Sequence, residues 1–313
     1  MSLLAAVLVF TLSGHTAPLR DVAFTPDGTV LATGSVDGTV KLWRLADRKL
    51  TRNLVHPMGV TSLAISSDGQ TLVTGSYDAN VRVWRVRDGA LLQTLRGHAG
   101  TVWTVAISRD GHLIASGGED KTVKLWRDGK LARILRGHTL NVWGVAITPD
   151  GKTIASGSFD HTAKLWNAET GAPIRTLEGH TQAIVGLAIS PDGQWLATGG
   201  DDSAVRIWRL RDGHLMRTLT KDLRHVYSVA FTPDSQTVAA GGREAGGLGT
   251  LLKGMGVYGD NGTTVTLFRL RDGAQLMQFA EHKDDVIAVA FSPDGRWLAS
   301  GGEDAMVKVV RWR

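Results

Sequence analysis

A histidine, usually preceded by glycine, is followed 28 residues later by a tryptophan five times along this chain, and that fixed interval constrains the fold more than any other feature. The intervals run from His15 to Trp43, His56 to Trp84, His98 to Trp126, His138 to Trp166 and His180 to Trp208, with histidines 40 to 42 residues apart. A seventh unit, His282 to Val310, keeps the distance without the tryptophan. A sixth, Asp222 to Phe268, is longer by about 18 residues. Repetition at this period means one supersecondary unit copied in tandem, each copy burying a face its neighbour completes.

Within each unit the pattern predicts four short strands. An alternating run such as Val102–Ile107 leads to a Pro-Asp-Gly type turn, as at Pro26-Asp27-Gly28. A second strand, an Asp-containing turn (Asp37, Asp78, Asp120, Asp160, Asp202, Asp304), a third strand ending at the tryptophan and a fourth such as Leu91–Leu95 follow. Four antiparallel strands seven times over predict an all-β, seven-bladed propeller formed as one domain over residues 1–313.

The Gly-His, the Ser/Thr-Gly ahead of the turn aspartate and the closing tryptophan resemble the WD-repeat family over essentially the whole chain. One departure is that Arg44, Arg85, Arg127, Asn167 and Arg209 follow the tryptophan where the family places aspartate. The resemblance implies a buried hydrogen-bonded chain through indole, hydroxyl, imidazole and carboxylate in each blade. Its members here are Trp43, Thr33, His15 and Asp37; Trp84, Thr74, His56 and Asp78; Trp126, Ser116, His98 and Asp120; Trp166, Ser156, His138 and Asp160; and Trp208, Thr198, His180 and Asp202. His282, Ser300 and Asp304 lack only the indole. A histidine, hydroxyl and aspartate set imitates a catalytic triad, but a site is normally single whereas this set occurs six times, so we assign it to blade construction and no catalytic role. The sixth blade has Asp222, Ala240, Gly262 and Phe268 at the four places, and His225 aligns with Ala183 instead.

Counted this way, the last unit lacks a fourth strand. Val7–His15 aligns without gaps on Ala90–His98, so residues 3–12 are expected to complete blade seven and clasp the ring. That assignment makes the apolar start a structural strand, not a cleaved leader.

The loop before strand one and the loop between strands two and three share a face. Aligned positions there give Arg20, Thr61, Trp103, Trp143, Val185, Tyr227 and Ile287 from one loop, and Tyr77, Glu119, Phe159, Asp201 and Glu303 among those from the other. We expect a protein or peptide to dock on Arg20, Tyr77, Trp103, Glu119, Trp143, Phe159 and Tyr227, because clustered exposed aromatics bury much area at little entropic cost. The competing reading has these side chains cap the channel by packing on one another. An insertion at about 241–262, rich in glycine, is either a flap at this face or a disordered loop.

Lys+Arg 35 against Asp+Glu 30 gives +5, but the basic residues two places before each tryptophan position (Lys41, Arg82, Lys124, Lys164, Arg206, Lys308) read as a solvated ring, one per blade. Nucleic acid requires a concentrated basic groove, so it is disfavoured. No cysteine is present, which excludes disulfides and thiolate metal sites, and neither metal-ligand spacing nor a cofactor motif appears elsewhere. The expected protein is a cytoplasmic, monomeric, non-catalytic scaffold without membrane association. The alternative, drawn from the resemblance of its Pro-Asp-Gly turns to bacterial WD-repeat chains, is a targeting module of a larger enzyme system built on a kinase, protease or nucleotidase. Direct chemistry at the channel mouth has only Glu119, Asp201, Glu303 and His225 to draw on. Because blade six lacks the whole buried network, amide exchange in its third strand should be the fastest of the seven third strands; uniform protection contradicts this.

Overall fold

The structure, a computed structural model, describes residues 7–220, 224–243 and 263–312. Among them are 28 strands in seven four-stranded antiparallel sheets. Blade one comprises β2 (Leu19–Phe24), β3 (Val30–Ser35), β4 (Thr39–Arg44) and β5 (Lys49–Val55), hydrogen-bonded in sequence order. Blades two to six repeat this order, starting at β6 (Val60–Ile65), β10 (Val102–Ile107), β14 (Val142–Ile147), β18 (Ile184–Ile189) and β22 (His225–Phe231). Each first strand packs against the first strand of the next blade, and β26 (Val286–Phe291) packs back against β2, which makes the ring.

Blade seven contains β26, β27 (Trp297–Gly302), β28 (Val307–Arg311) and, as its outermost strand, β1 (Val7–Leu12). Val7 pairs with Arg311 and Leu12 with Val307 at the two ends of that ladder. The chain's start therefore completes the sheet made by its end, as the alignment on blade two predicted. The expected segment began at residue 3, and residues 3–6 lie outside the described part.

Burial falls from the axis outward, and the sequence explains why. Five of the seven second strands carry an Ala-Ser/Thr-Gly core, with Val73-Thr74-Gly75 in blade two and Ala239-Ala240-Gly241 in blade six, and β11 (Leu113–Gly118) is buried at every residue. Small side chains there let blades meet: a Cβ on Gly117 would stand 2.6 Å from Val142 of the next blade. Larger residues fill the seam further out, where Leu113, Leu125 and Leu135 of blade three meet Val142, Ile154 and Trp166 of blade four in one core cluster. Outermost strands are mostly exposed, as along β5. Long polar side chains tie some of them to the next blade: Arg52 donates to the Arg87 carbonyl (3.0 Å), Gln93 to that of Gly129 (2.9 Å) and Arg217 to that of Leu270 (2.9 Å).

Blade six differs from the expectation at its insertion. The second strand, β23 (Thr237–Arg243), runs through Gly241, Gly242 and Arg243, which were expected in the insertion, and pairs with β24 (Thr263–Arg269) along its whole length. Residues 244–262 lie outside the described part, as does Asp222. No helix of the described residues is long and apolar enough to cross a membrane.

Deleting residues 1–12 uncovers the ladder edge of β28 and removes the buried Leu12. The truncated protein is expected to melt at least about 10 °C lower than the full chain, since several kcal/mol are lost from a chain this size. An unchanged melting temperature in calorimetry contradicts the clasp.

Candidate functional site

The hydrogen-bonded chains come first, because they hold the loops that form the face. In blade one the Trp43 indole N–H donates to Thr33 Oγ1 (2.9 Å), which lies 2.8 Å from His15 Nε2, and His15 Nδ1 lies 2.8 Å from Asp37. Since indole only donates, the hydroxyl proton goes to Nε2 and the imidazole proton sits on Nδ1, facing the carboxylate. Asp37 also accepts the Thr16 and Thr39 backbone N–H groups, so one carboxylate binds the loop before strand one to the turn before strand three. The same three links occur through Ser116, Ser156 and Thr198 in blades three, four and five. Blade seven keeps His282 to Ser300 and Asp304, with buried Val310 in place of the indole. The glycine before the histidine is there for contact and conformation: Gly14 and Gly137 have φ near 150°, and a Cβ would reach the tryptophan ring at 3.2 and 3.0 Å.

Blade two departs from the expected chain. Trp84 and His56 both bond Thr74 (3.0 and 2.9 Å), but Asp78 turns to the Arg82 guanidinium (2.5 and 3.1 Å), and His56 Nδ1 is buried without a hydrogen-bond partner. Arg82 belongs to the row expected to be a solvated ring. That expectation is corrected: Lys41, Arg82 and Lys124 are buried, and Lys124, Arg82 and Arg206 pair with the turn aspartates Asp120, Asp78 and Asp202 at 2.5 to 2.7 Å. The aliphatic stems pack inside the blade and the charges are spent on the network. In blade six, Ala240 and Phe268 fill the vacated space as buried apolar side chains.

The face itself is aimed by seven β-bulges. In every blade the register between first and second strands slips at one residue, and those residues are Arg20, Thr61, Trp103, Trp143, Val185, Tyr227 and Ile287. A bulge re-aims a side chain. Here all seven line one central cavity of about 440 Å³ together with Tyr77, Phe159, Asp201 and Glu303.

Blades two to four build a continuous aromatic wall on this cavity. Trp103 and Trp143 stack with centroids 3.9 Å apart, Trp143 and Phe159 at 4.6 Å, and Tyr77 meets Trp103 edge-on at 5.6 Å. Gly59 makes room for Tyr77, whose ring lies 2.8 Å from where a Cβ would be. The Trp103 indole nitrogen is enclosed without an acceptor. Two exposed apolar side chains, Met58 (52%) and Leu140 (45%), stand in the loops before the first strands of blades two and four, on the same face. Sequence reasoning missed both, although each stands two residues after an aligned histidine, His56 and His138, where the loop must cross the face.

The other side of the mouth is charged. Asp201 lies 3.3 Å from His225, which stacks on Tyr227, and Arg20 approaches Glu303 at 3.9 Å. Arg243 holds the buried Asp285 through two bonds of 2.9 and 2.7 Å, with the Tyr227 hydroxyl at 3.3 Å. Arg243, Asp284 and Asp285 were not anticipated at the mouth; for Arg243 the expected insertion took in the last three residues of the strand. Burial, then the neighbouring Asp285 charge, raises the Glu303 carboxyl above its ordinary range. Glu119 is not brought to the cavity. Its carboxylate accepts the Thr101 N–H (3.0 Å) and folds over Gly100.

Below the mouth, Asp21 binds the inner seam. Its carboxylate accepts the Leu63 N–H (2.8 Å), the Ser62 hydroxyl (3.0 Å) and its own chain's Val22 N–H (2.9 Å). Ser62, Thr104 and Ser228 likewise accept Val105, Val145 and Val289 N–H groups from the following blade. The inner strands, and hence the bulged residues, are thus fixed across the blade boundaries.

Two kinds of comparison bear on this architecture. The family model described as "WD domain, G-beta repeat" matches residues 6–44, 48–85, 89–127, 129–167, 171–209, 213–245 and 273–310. Among curated proteins, Protein HIRA of Oryza sativa subsp. japonica is 48% identical over 40 residues, covering 13% of this chain and 4% of that protein. The Target of rapamycin complex subunit wat1 of Schizosaccharomyces pombe is 42% identical over 55 residues, 18% of each. The matched stretches therefore span only a small part of either relative.

Two buried groups give opposite pH dependences in one window. Burial outweighs three donated hydrogen bonds and pushes the Asp21 carboxyl up to about 6, so its contribution to stability is present below about pH 4 and is lost as pH rises through 6. Burial, aided by the Arg82 charge, lowers His56 to about 4, so its contribution is present above about pH 6.5 and is lost as pH falls through 4. Asp21→Asn is therefore expected to steepen the loss of melting temperature between pH 6.5 and 4, and His56→Gln to flatten it. Melting curves for both variants that run parallel to wild type contradict these assignments.

Proposed function

The chain belongs to the WD-repeat family, and on that footing we propose that it is a non-catalytic scaffold that docks a protein or peptide segment on the face around its central cavity. The stacked wall of Tyr77, Trp103, Trp143 and Phe159 carries this reading. Four half-buried aromatic rings on adjacent blades, Trp103 and Trp143 on bulges and Tyr77 and Phe159 at the turns after the second strands, provide a rigid, preorganised contact area, the type of surface that dominates binding energy at protein interfaces. The Trp103 indole N–H, enclosed without an acceptor among the described residues, supports a role beyond packing, since a buried unpaired N–H costs about 1–3 kcal/mol. Mutual stacking is the second half of the same device, since it holds the rings in place before a partner arrives.

On the face His225 lies against Asp201 and Asp285 is held in a two-bond fork by Arg243, which supports a structural role for His225 and Asp285 over acid–base chemistry. The name of one relative identifies it as a complex subunit, which supports an assembly role for the fold and, as a second reading, service as the targeting module of a larger enzyme system.

Changing Trp103 and Trp143 together to alanine tests the wall. Retention of protein partners from a lysate of the source cells, measured by quantitative pulldown, should fall at least about 100-fold, because two hot-spot aromatics contribute several kcal/mol. The melting temperature should fall by no more than about 5 °C. A variant that melts much earlier yet keeps its partners shows instead that the wall is only packing.

A further inference from the structure

The face is divided by chemistry as well as by blade. Over blades two to four the cavity lining carries Trp103 and Trp143 and no charged side chain, with exposed Met58 and Leu140 in the loops before the first strands of blades two and four, while Glu119 and Lys121 lie in the blade-three turn outside the lining. Over blades five to seven and back to blade one it presents Asp201, Asp284, Asp285 and Glu303, against the guanidinium groups of Arg243 and Arg20, with exposed Arg224 and Lys283 in the loops outside the cavity lining. Among the described residues lining the cavity, Arg20 is the single Lys or Arg, while Asp21, Asp201 and Glu303 are carboxylates. The chain as a whole carries +5. A locally negative mouth on a positively charged molecule selects for what approaches it.

The pairing of these carboxylates sharpens the point. Asp285 is saturated by Arg243 in a two-bond fork, and Asp21 by three donors of the inner seam. Glu303 has Arg20 only at 3.9 Å, and Asp201 has the His225 ring at 3.3 Å. These two keep part of their surface open, 36% and 29% for the side chains. They are the carboxylates of the lining with capacity for a further cation. The aromatic wall does not compete for it, because stacking turns the ring faces toward one another and leaves mainly apolar edges at the cavity.

Resting on the docking reading above, we infer that the docked segment is amphipathic with one basic edge. Its apolar side chains lie over Met58, Trp103, Leu140 and Trp143, and a Lys or Arg on the opposite edge reaches Asp201 and Glu303. The long aliphatic stem of either residue crosses the cavity mouth against the ring edges while its head meets the carboxylates. Phosphate-rich polymers are repelled by the same crescent, which turns the basic balance of the composition away from nucleic acid at this face.

Selection of a random twelve-residue peptide library on the immobilised full chain tests the inference, with the Trp103→Ala/Trp143→Ala protein as the counter-target. The expected result is a pool enriched in Lys and Arg beside apolar residues. A recovered peptide followed by fluorescence polarisation should bind about tenfold more weakly to Asp201→Asn/Glu303→Gln, with a smaller loss of affinity on raising salt. Peptides that need the two tryptophans but are neutral or acidic, or that bind the charge variant equally well, overturn the basic edge and leave docking intact. A pool with no enrichment over the counter-target overturns both.

Discussion

The pairing of β1 with β28 is the constraint on which everything else depends. A tandem array of four-stranded sheets has an unfinished edge at each end, and the array becomes a ring only when the two ends share one sheet. Once Leu12 pairs with Val307, β26 packs against β2 and the inner seam can run without a break. Asp21 marks that junction. Ala288 of blade seven has no side-chain acceptor to offer the Val22 N–H at the position where Ser62, Thr104 and Ser228 serve the following blades, and Asp21 accepts it from within blade one.

Closure fixes the axis, and two further devices convert a fixed axis into a fixed face. The histidine–aspartate links bind the loop before strand one to the turn before strand three, so both loops of a blade are held by one buried carboxylate. The bulges then turn one residue per blade toward the axis. In the proposed docking role, recognition rests on the bulged side chains together with Tyr77 and Phe159, on a frame built by other residues. This is how one fold hosts unrelated partners.

Most of the frame was legible in the sequence because its determinants are local and repeated. The 28-residue interval reports a hydrogen bond between the Trp43 indole and Thr33 hydroxyl across adjacent strands, and the bond must recur wherever the blade recurs. The aromatic arc was legible for the same reason, since alignment alone brings Trp103 and Trp143 to equivalent positions. What escaped the sequence depends on single side chains choosing between partners. Asp78 takes Arg82 while Asp202 takes both His180 and Arg206, and the overlooked local signal is Pro57, which has no N–H to hold Asp78 beside His56 as the Thr181 N–H holds Asp202. Lys41, Arg82 and Lys124 of the basic row are buried because their stems fit between strands, a fact of packing that charge counting reverses. Glu119 aligned with the mouth but found a backbone N–H closer by. Met58 and Leu140 lie in loops whose residues vary from blade to blade, so repetition gave no signal there.

The central claim is that the face bearing the seven bulged residues, and no other surface, is where this ring meets its partner. A crystal structure of the chain bound to a library-selected peptide tests it most directly. The account predicts a segment lying across the cavity mouth in contact with Trp103 and Trp143; a peptide paired to an outermost strand such as β5, or seated on the opposite end of the ring, contradicts it.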